Sequence, residues 1–119
     1  MSWDDELNEM AQRASLAEAM GGEEKVARQH EFNKLTIRER IAHIADANSF
    51  HEIGKLAGVG EYDDDGNLTH LTPSNFVFGT AEIDDRPVIL SGDDFTVRGG
   101  SADASIAGKR TQAEGLAAE

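Results

Sequence analysis

The chain opens with apolar residues at helical spacing and a pair of glycines that ends the pattern. Over residues 2–20, one face carries the apolar side chains Trp3, Leu7, Met10, Ala14 and Ala17. Ser2 and Asp5 are spaced as a helix-capping pair, and Gly21-Gly22 is typical of a helix C-terminus. The pattern predicts a first helix whose apolar face serves packing. Trp3 is expected to anchor it on another surface, such as a second subunit or the body of a larger protein.

Two shorter helices are predicted next. Residues 23–33 read E-E-K-V-A-R-Q-H-E-F-N, and a third helix begins at Thr36, which forms a Thr-x-x-Glu capping box with Glu39. Its apolar face consists of Ile37, Ile41 and Ile44, and the pattern ends near Asp46-Ala47-Asn48. Residues 1–48 are therefore predicted to form a helical arm.

The period of the apolar residues then changes from helical to extended. Residues 49–54 fit a short strand or edge element, and residues 57–75, rich in glycine, read as a loop. Residues 76–83 predict a strand, and residues 84–86 a turn. Residues 87–90 are apolar on both faces, which is typical of a buried strand. Two strands joined by a short turn predict an antiparallel hairpin.

The acidic stretch before this hairpin resembles part of a calcium loop. With Gly66 at the sixth position, Glu61, Asp63 and Asp65 fall at positions one, three and five. Thr72 stands where such a loop needs a bidentate glutamate, and no helical pattern flanks both sides. An Asp-Gly turn is the better interpretation.

Residues 91–101, S-G-D-D-F-T-V-R-G-G-S, join the second strand to a predicted helical run over residues 102–119. Gly99 and Gly100 permit positive φ and close approach of a ligand to the backbone. Ser101 is a suitable N-cap, and Arg98 beside free N–H groups at a helix start suits a phosphate. The plainer interpretation is a tight strand-to-helix connection with a surface arginine.

Composition restricts the partners and the compartment. The 119 residues suffice for one domain, and 23 acidic against 11 basic residues give a net charge of −12, which argues against nucleic acid or an anionic membrane as partner. The chain has no cysteine, so disulfides and thiolate chemistry are excluded. The acidic start does not read as a signal peptide, and no apolar run reaches membrane-spanning length. A cytoplasmic location is expected.

The basic residues are concentrated in one segment. Five of the eleven form a basic island, which consists of Lys25, Arg28, Lys34, Arg38 and Arg40. The island could hold an anionic small ligand or pair with acidic neighbours, and pairing is the commoner outcome.

Few residues of the sequence indicate a catalytic or metal-binding site. The histidines, at positions 30, 43, 51 and 70, are scattered, with no pair at helical spacing and no nearby carboxylate constellation, which predicts no catalytic or metal role for them. Ser101 lacks the frame of a nucleophile.

Five segments, in this order, resemble the start of a known family. They are M-G-G-E-E-K-V-A-R-Q-H (20–30), N-K-L-T-I-R-E-R-I (33–41), N-S-F-H-E-I-G (48–54), P-S-N-F-V-F-G (73–79) and G-D-D-F-T-V-R-G-G-S (92–101). Together they are similar to the N-terminal portion of the carboxyltransferase (beta) subunit of biotin-dependent acyl-CoA carboxylases, which include propionyl-CoA, acetyl-CoA and methylcrotonyl-CoA carboxylases.

The resemblance implies an α/β, crotonase-like (ClpP/crotonase) fold that is incomplete in this chain. The helical arm is followed by a first β-β-α unit, and residues 49–119 start the acyl-CoA-binding half of the subunit. The implied reaction moves a carboxyl group from biotin, carried as carboxybiotin on a partner protein, to the α-carbon of an acyl-CoA. The implied CoA-binding residues are Arg98, Gly99, Gly100 and Ser101. A second candidate for the CoA phosphates is the set Lys34, Arg38 and Arg40.

The resemblance also implies partners. These are an acyl-CoA, a biotin carboxylase or biotin carrier subunit, and further copies of the full-length subunit in a homo-oligomer. The oxyanion glycines and the carboxybiotin-binding half of the family follow later in its sequence, so the isolated chain is expected to be inactive. Its end inside a helix-like run favours a truncated subunit; the alternative is a small docking or CoA-binding module derived from that subunit.

Overall fold

A computed structural model describes residues 2–101 and 104–119 of the chain. Three helices come first: α1 (Asp4–Glu18), α2 (Glu23–Glu31) and α3 (Ile37–Ile44). Five strands follow, namely β1 (His51–Ile53), β2 (Gly58–Tyr62), β3 (Leu68–Pro73), β4 (Phe76–Ile83) and β5 (Arg86–Asp93). A short 3₁₀ turn (Arg98–Gly100) precedes the last helix, α4 (Lys109–Ala117).

The predicted capping box of the third helix is confirmed. The Glu39 backbone N–H donates to Thr36 Oγ1 at 3.2 Å, and the Thr36 N–H donates to Glu39 Oε1 at 2.9 Å. Of its apolar face, Ile41 is buried while Ile44 remains exposed. The first helix has no comparable box: Trp3 occupies its N-cap position without a side-chain cap, and Ser2 Oγ accepts only from the Asp4 N–H.

Two antiparallel sheets form the β part. One has the order β1-β4-β5, with Phe78 opposite Ser91 and His51 opposite Thr80, and the other pairs β2 with β3. The predicted hairpin of β4 and β5 is confirmed, with Asp84-Asp85 alone as its turn; both residues have positive φ, as a type I′ connection requires. Arg86, predicted in the turn, opens β5 instead.

The core lies between β4 and α4. Phe76, Phe78 and Ala113 are buried there, and Ile53, Ile89 and Leu116 pack around them. β4 is central and its first four residues are buried on both faces. β5 lies at the edge of its sheet, so residues 88–90 are only half-buried, against the expectation of a fully buried strand.

Two sequence predictions of secondary structure were also wrong. Residues 57–75 are not a loop but mainly β2 and β3, whose turn is closed by Asp63: its carboxylate accepts from the N–H groups of Asp65 and Asn67. This is the expected Asp-Gly turn, and the Asp63 carboxylate holds its backbone. The helix predicted over residues 102–119 is confined to residues 109–117; positions 102 and 103 of that prediction lie outside the described residues.

The apolar face predicted for the first helix packs only at its C-terminal end. Ala17 is buried, whereas Trp3 is 71% exposed, Leu7 59% and Met10 51%. The helix is held on the β2–β3 sheet by polar contacts, including one from Gln12 Nε2 to the Leu68 carbonyl at 3.0 Å. The role of Trp3 as an anchor on another surface stays a prediction. Among the helices of the described ranges, none is both long and apolar enough for a membrane crossing.

Candidate functional site

The segment after β5, residues 94–101, is called the junction loop here, and a buried carboxylate organises its start. Asp94 is 2% exposed, and its Oδ1 accepts from the N–H of Thr96 at 2.9 Å and from Thr96 Oγ1 at 2.6 Å. The Asp94 N–H donates to the Asn75 carbonyl at 2.6 Å. Buried polar groups that are paired in this way fix a single backbone path.

Asn75 holds the other end of the junction loop. It is fully buried, and its Nδ2 donates to the carbonyl of Val97 at 3.3 Å and to that of Ser101 at 2.7 Å. One amide therefore ties together the residues on either side of the 3₁₀ turn. The loop is held from within rather than by exposed side chains alone.

The 3₁₀ turn has the positive φ angles that the sequence predicted from Gly99 and Gly100. Gly99 and Gly100 have φ of 61° and 75°, and Arg98, with a side chain, has φ of 49°. Positive φ is readily adopted by glycine and costs other residues conformational energy. The backbone N–H of Ser101 donates to the Arg98 carbonyl at 3.1 Å and closes the turn.

Ser101 does not cap the following helix, contrary to the sequence prediction. α4 begins at Lys109, and Gly108 occupies its N-cap position. The left-handed turn at residues 98–100 lies within the junction loop, and α4 begins only eight residues after the end of that loop, so α4 does not start beside Arg98. Of the predicted phosphate site, Arg98 and the glycines adjoin the turn, but the N–H groups of Gly100 and Ser101 donate to the carbonyls of Val97 and Arg98, both at 3.1 Å, and the N-terminus of α4 is not part of the site.

The junction loop contacts the helical arm at the α1–α2 turn. The Gly21 N–H donates to Thr96 Oγ1 at 3.0 Å. A Cβ at Gly21 would overlap the carbonyl oxygen of Thr96 and lie 2.5 Å from its carbonyl carbon. Only glycine permits this approach, which places α2 beside the junction loop.

A cleft of about 460 Å³ opens between α2 and the junction loop, and it is called the cationic cleft here. Its lining residues are Lys25, Arg28, Gln29, Phe32, Lys34, Phe95, Thr96 and Gly99. Phe32 and Phe95 remain 61% and 65% exposed. Three cations, two exposed aromatic rings and a glycine backbone thus line one space, in which the Arg28 guanidinium lies over the Phe32 ring, 5.9 Å from its centroid. This excess of positive charge suits an anion.

A second cleft of about 280 Å³ adjoins the first, since Lys25 and Thr96 line both. It is called the apolar cleft here, after Leu16, Met20, Leu71, Pro73 and Val97 in its lining. Arg98 also lines it. Of the four predicted CoA-binding residues, Gly99 faces the cationic cleft and Arg98 the apolar cleft, whereas Gly100 and Ser101 line neither.

The basic island divides into two groups. Lys25, Arg28 and Lys34 line the cationic cleft, and Arg40 is exposed elsewhere. Arg38 instead forms a two-point ion pair with Glu52, with Nη2 to Oε2 at 3.1 Å. The sequence analysis had placed all three in the basic island, but its candidate set for the CoA phosphates included Lys34 and not Lys25 or Arg28. The available signal was the spacing of positions 25, 28, 29 and 32, which share one helical face.

Arg38 and Glu52 lie in a buried charge cluster with Lys109. The Glu52 side chain is 6% exposed and that of Arg38 22%. Lys109 Nζ donates to the Gly54 carbonyl at 3.2 Å, and burial lowers the pKa of Lys109. The expected pairing of the basic island with acidic neighbours is therefore found for Arg38, whose partner is Glu52.

One of the four histidines, His30, pairs with a single carboxylate, that of Glu39. His30 Nε2 lies 2.7 Å from Glu39 Oε1. This hydrogen bond, with those from the N–H and hydroxyl of Thr36, lowers the pKa of Glu39 to about 2. The pair joins α2 to α3.

Three carboxylates also gather at the β4–β5 turn. Oxygens of Asp46, Glu82 and Asp85 lie within 4.8 Å of one another. The two oxygens of Asp46 accept from the backbone N–H groups of Asp84 and Asp85 at 3.0 and 2.9 Å. The cluster is explained by its structural role in holding this turn.

Comparisons with known proteins agree on one group. No model of a protein family matches the chain. The propionyl-CoA carboxylase carboxyltransferase subunit of Haloferax mediterranei is 33% identical over 101 residues, which are 85% of this chain and 20% of that protein. The propionyl-CoA carboxylase beta chain of Cereibacter sphaeroides is 36% identical over 110 residues, 88% and 21% respectively. The chain is homologous to the N-terminal region of acyl-CoA carboxyltransferase subunits.

A solved structure supports the same relationship. The transcarboxylase 12S structure, described as a hexamer assembly with methylmalonyl-CoA and methylmalonic acid bound, matches 98% of this chain with a TM-score of 0.77 and 29% identity. The match covers 23% of the 12S chain. The mixed α/β class is confirmed, and this chain spans about a fifth of the length of its carboxyltransferase relatives.

Proposed function

We propose that the chain is the N-terminal segment of an acyl-CoA carboxyltransferase and contributes to binding the acyl-CoA. The complete subunit would have a crotonase-like fold and transfer a carboxyl group from carboxybiotin to the α-carbon of a substrate such as propionyl-CoA. In this proposal, residues 1–48 are its helical arm and residues 49–119 the start of its acyl-CoA-binding half.

The observation that carries the proposal is the meeting of the cationic cleft with the 3₁₀ turn. Gly99, at which the resemblance expects CoA, faces the same space as Lys25, Arg28 and Lys34. Two independent lines, the motif order and the arrangement of charge, therefore favour one ligand with several phosphates. Arg98 would contact the same ligand from the apolar cleft.

We assign no residue of this chain to biotin. Carboxybiotin carries a single carboxylate on a neutral ureido ring, and three cations in the cationic cleft suit a more highly charged group. In the family the resemblance places carboxybiotin in the second half of the subunit. The partners proposed for the complete subunit are accordingly a biotin carboxylase or biotin carrier subunit and further copies of itself.

Titration calorimetry of the 119-residue chain with propionyl-CoA tests the proposal. We expect saturable binding, and no carboxyl transfer when a carboxybiotin analogue is added. Arg98→Gly removes the cation while relieving its positive φ, and should weaken binding about three- to ten-fold if Arg98 contacts the ligand. Arg86→Gly, an exposed arginine that lines neither cleft, is the matched control. A chain that folds and does not bind propionyl-CoA would contradict the proposal.

The alternative is a small docking or CoA-binding module, and one observation favours it. Trp3, Leu7 and Met10 form an exposed apolar stripe on α1, which a docking protein would use. The mass of the native polypeptide in its source cells separates the two functions. A band several times heavier than 12.8 kDa supports the carboxyltransferase segment, and a band at that mass supports the module.

A further inference from the structure

We propose that the outward face of α1 docks a basic amphipathic helix of a partner protein. This face is called the docking face here, and it consists of the apolar side chains Trp3, Leu7 and Met10 with the carboxylates Asp4 and Glu6 beside them. None of these residues lines the cationic cleft or the apolar cleft. The docking face is therefore separate from the residues proposed to bind the acyl-CoA.

The apolar side chains of the docking face point away from the body of the chain. α1 is attached to the β2–β3 sheet through Gln12, whose Nε2 donates to the Leu68 carbonyl. At about 100° per residue, Trp3 lies on the opposite side of the helix from Gln12. Trp3, Leu7 and Met10 are each more than half exposed. Large apolar side chains that lie together in water are typical of a protein interaction site.

The spacing of the apolar positions favours a helix as the occupant. Positions 3, 7, 10, 14 and 17 are separated by alternating steps of four and three residues, as in the seam of a two-stranded coiled coil. Ala17, at the far end, is already buried in this chain. The available seam therefore runs from Trp3 to Ala14, about three helical turns. An extended peptide repeats every two residues and does not match this spacing.

The charge beside the seam determines the chemistry of the partner. Asp4 and Glu6 occupy the heptad positions that border the apolar side chains, and both are exposed. Among the residues that the structure describes, none forms an ion pair with either carboxylate. Acidic residues in the first turn also stabilise the helix N-terminus, but that role does not require an apolar stripe next to them. A partner helix with Lys or Arg beside its own apolar seam is complementary to this face.

A second copy of α1 is a poorer occupant than a basic helix. It would bring further carboxylates to the seam, and like charges placed together oppose association. Arg13 is the one basic residue of α1, and its guanidinium already donates to the Tyr62 hydroxyl at 3.1 Å and the Leu56 carbonyl at 3.0 Å. A cleft of about 440 Å³, lined by Glu6 and by further acidic residues of α1, leaves room for the long side chains of a basic partner.

Tryptophan fluorescence of the 119-residue chain tests the proposal, because Trp3 is its single tryptophan. The probe is a synthetic helix of three heptads with leucine at the seam positions, lysine at the bordering positions and no aromatic residue. We expect saturable binding that shifts the Trp3 emission to shorter wavelength and weakens as salt is added. The same peptide with glutamate in place of lysine should not bind. No binding of the lysine peptide, binding without an emission shift, or equal binding of the glutamate peptide would overturn the proposal.

Substitutions on the docking face separate specific docking from general attraction to an acidic protein. Leu7→Ser should weaken binding of the lysine peptide about ten-fold, whereas Ile44→Ser, at an exposed apolar position at the end of α3, should not change it. Glu6→Gln should weaken binding about two- to five-fold and reduce its salt dependence, whereas Glu114→Gln, at an exposed position of α4, should have little effect.

The remaining outcomes assign the face to another occupant or leave it without one. Equal losses in the Leu7 and Ile44 variants would mean that the peptide does not recognise the docking face. Sedimentation that shows a dimer of the chain alone, abolished by Leu7→Ser, would assign the face to a second copy and overturn the proposal. Neither result affects the binding of propionyl-CoA, because the docking face lines neither the cationic nor the apolar cleft.

Discussion

Replacing Gly21 by alanine tests the contact on which the candidate site depends. Gly21 lies in the α1–α2 turn, and its N–H donates to Thr96 Oγ1 at 3.0 Å. A methyl group there would overlap the Thr96 carbonyl and lie 3.1 Å from the Thr96 Cβ. Most of what it meets is backbone of the junction loop, which cannot rotate aside as a flexible side chain could. Either the arm or the loop must move.

The expected cost follows from what the methyl group displaces. Overpacking against fixed backbone costs about 1–3 kcal/mol, and weakening the hydrogen bond to Thr96 adds about 1 kcal/mol. Alanine also restricts the unfolded chain, which offsets about 0.4–1 kcal/mol. We expect a net destabilisation of about 2–3 kcal/mol, a large part of the roughly 5–15 kcal/mol that stabilises a typical domain.

Urea unfolding followed by far-ultraviolet circular dichroism measures this loss. With a slope of about 1–3 kcal/mol per molar for a small protein, the midpoint should fall by about 1–2 M. Titration with propionyl-CoA adds a second measurement, since Thr96 lines both clefts. Displacement of the junction loop should weaken binding even in conditions where the variant is fully folded.

Gly115→Ala is the matched control, because a Cβ at Gly115 in α4 would meet no atom within 4 Å. Alanine in a helix interior is favoured over glycine by up to about 1 kcal/mol, so this variant should be as stable as the natural chain or more so. A Gly21→Ala chain with an unchanged midpoint and unchanged propionyl-CoA binding would refute the argued contact between arm and loop.

Three further results are expected from denaturation measurements. Glu52→Gln should lower the free energy of unfolding by about 2–3 kcal/mol, because it leaves the partly buried Arg38 and Lys109 without a counter-charge; an unchanged urea midpoint would contradict this. Lys109→Met should be neutral or stabilising in a thermal melt, since the fold disfavours the charged form of this buried lysine. The pKa of Glu39 is lowered from 4.5 to about 2 by its hydrogen bonds, so the stability that it contributes is present above pH 4.5 and lost as the pH falls towards about 2. Glu39→Gln should flatten this part of the pH profile, and an equally steep profile in that variant would assign the loss to other groups.

The parts of the fold that could be predicted are those encoded locally. The capping box of Thr36 and Glu39 spans four residues, and its two hydrogen bonds form within that segment. β4 begins with the apolar run Phe76-Val77-Phe78, and Asp84-Asp85 forms the turn that leads into β5. In each case the residues that determine the structure are neighbours in the chain.

β2 and β3 were not predicted because they depend on contacts with residues that are distant in the sequence. β2 contains two glycines and exposes Val59 and Tyr62, so it lacks the alternation that marks a strand. In β3 the buried leucines Leu68 and Leu71 are three residues apart rather than two. The pair is completed by α1, through the bond from Gln12 to the Leu68 carbonyl. The contact with α1 thus stabilises two strands whose own sequences have a weak preference for β structure.

The separate parts of the candidate site could be predicted from the sequence, whereas their contact with each other is not local and could not. Gly99 and Gly100 indicated a left-handed turn, and the basic island indicated a local concentration of positive charge. No pattern in the sequence indicated that the turn and the island would lie side by side. They meet through Gly21 and Thr96, which are 75 residues apart. Such a pairing leaves no periodic signal, because a single glycine at a helix end is equally typical of an ordinary C-terminus.

This long-range contact bears on the proposed division of the chain at residue 48. The cationic cleft takes its cations from α2, in the arm, and its glycine backbone and Phe95 from the junction loop, in the following unit. The apolar cleft likewise joins Leu16 to Val97 across the same boundary. A ligand that binds both clefts would therefore contact both units at once. Ligand binding should therefore stabilise the contact between the arm and the junction loop. The free energy of this stabilisation equals the difference between the ligand's binding free energies for the docked and the undocked arm.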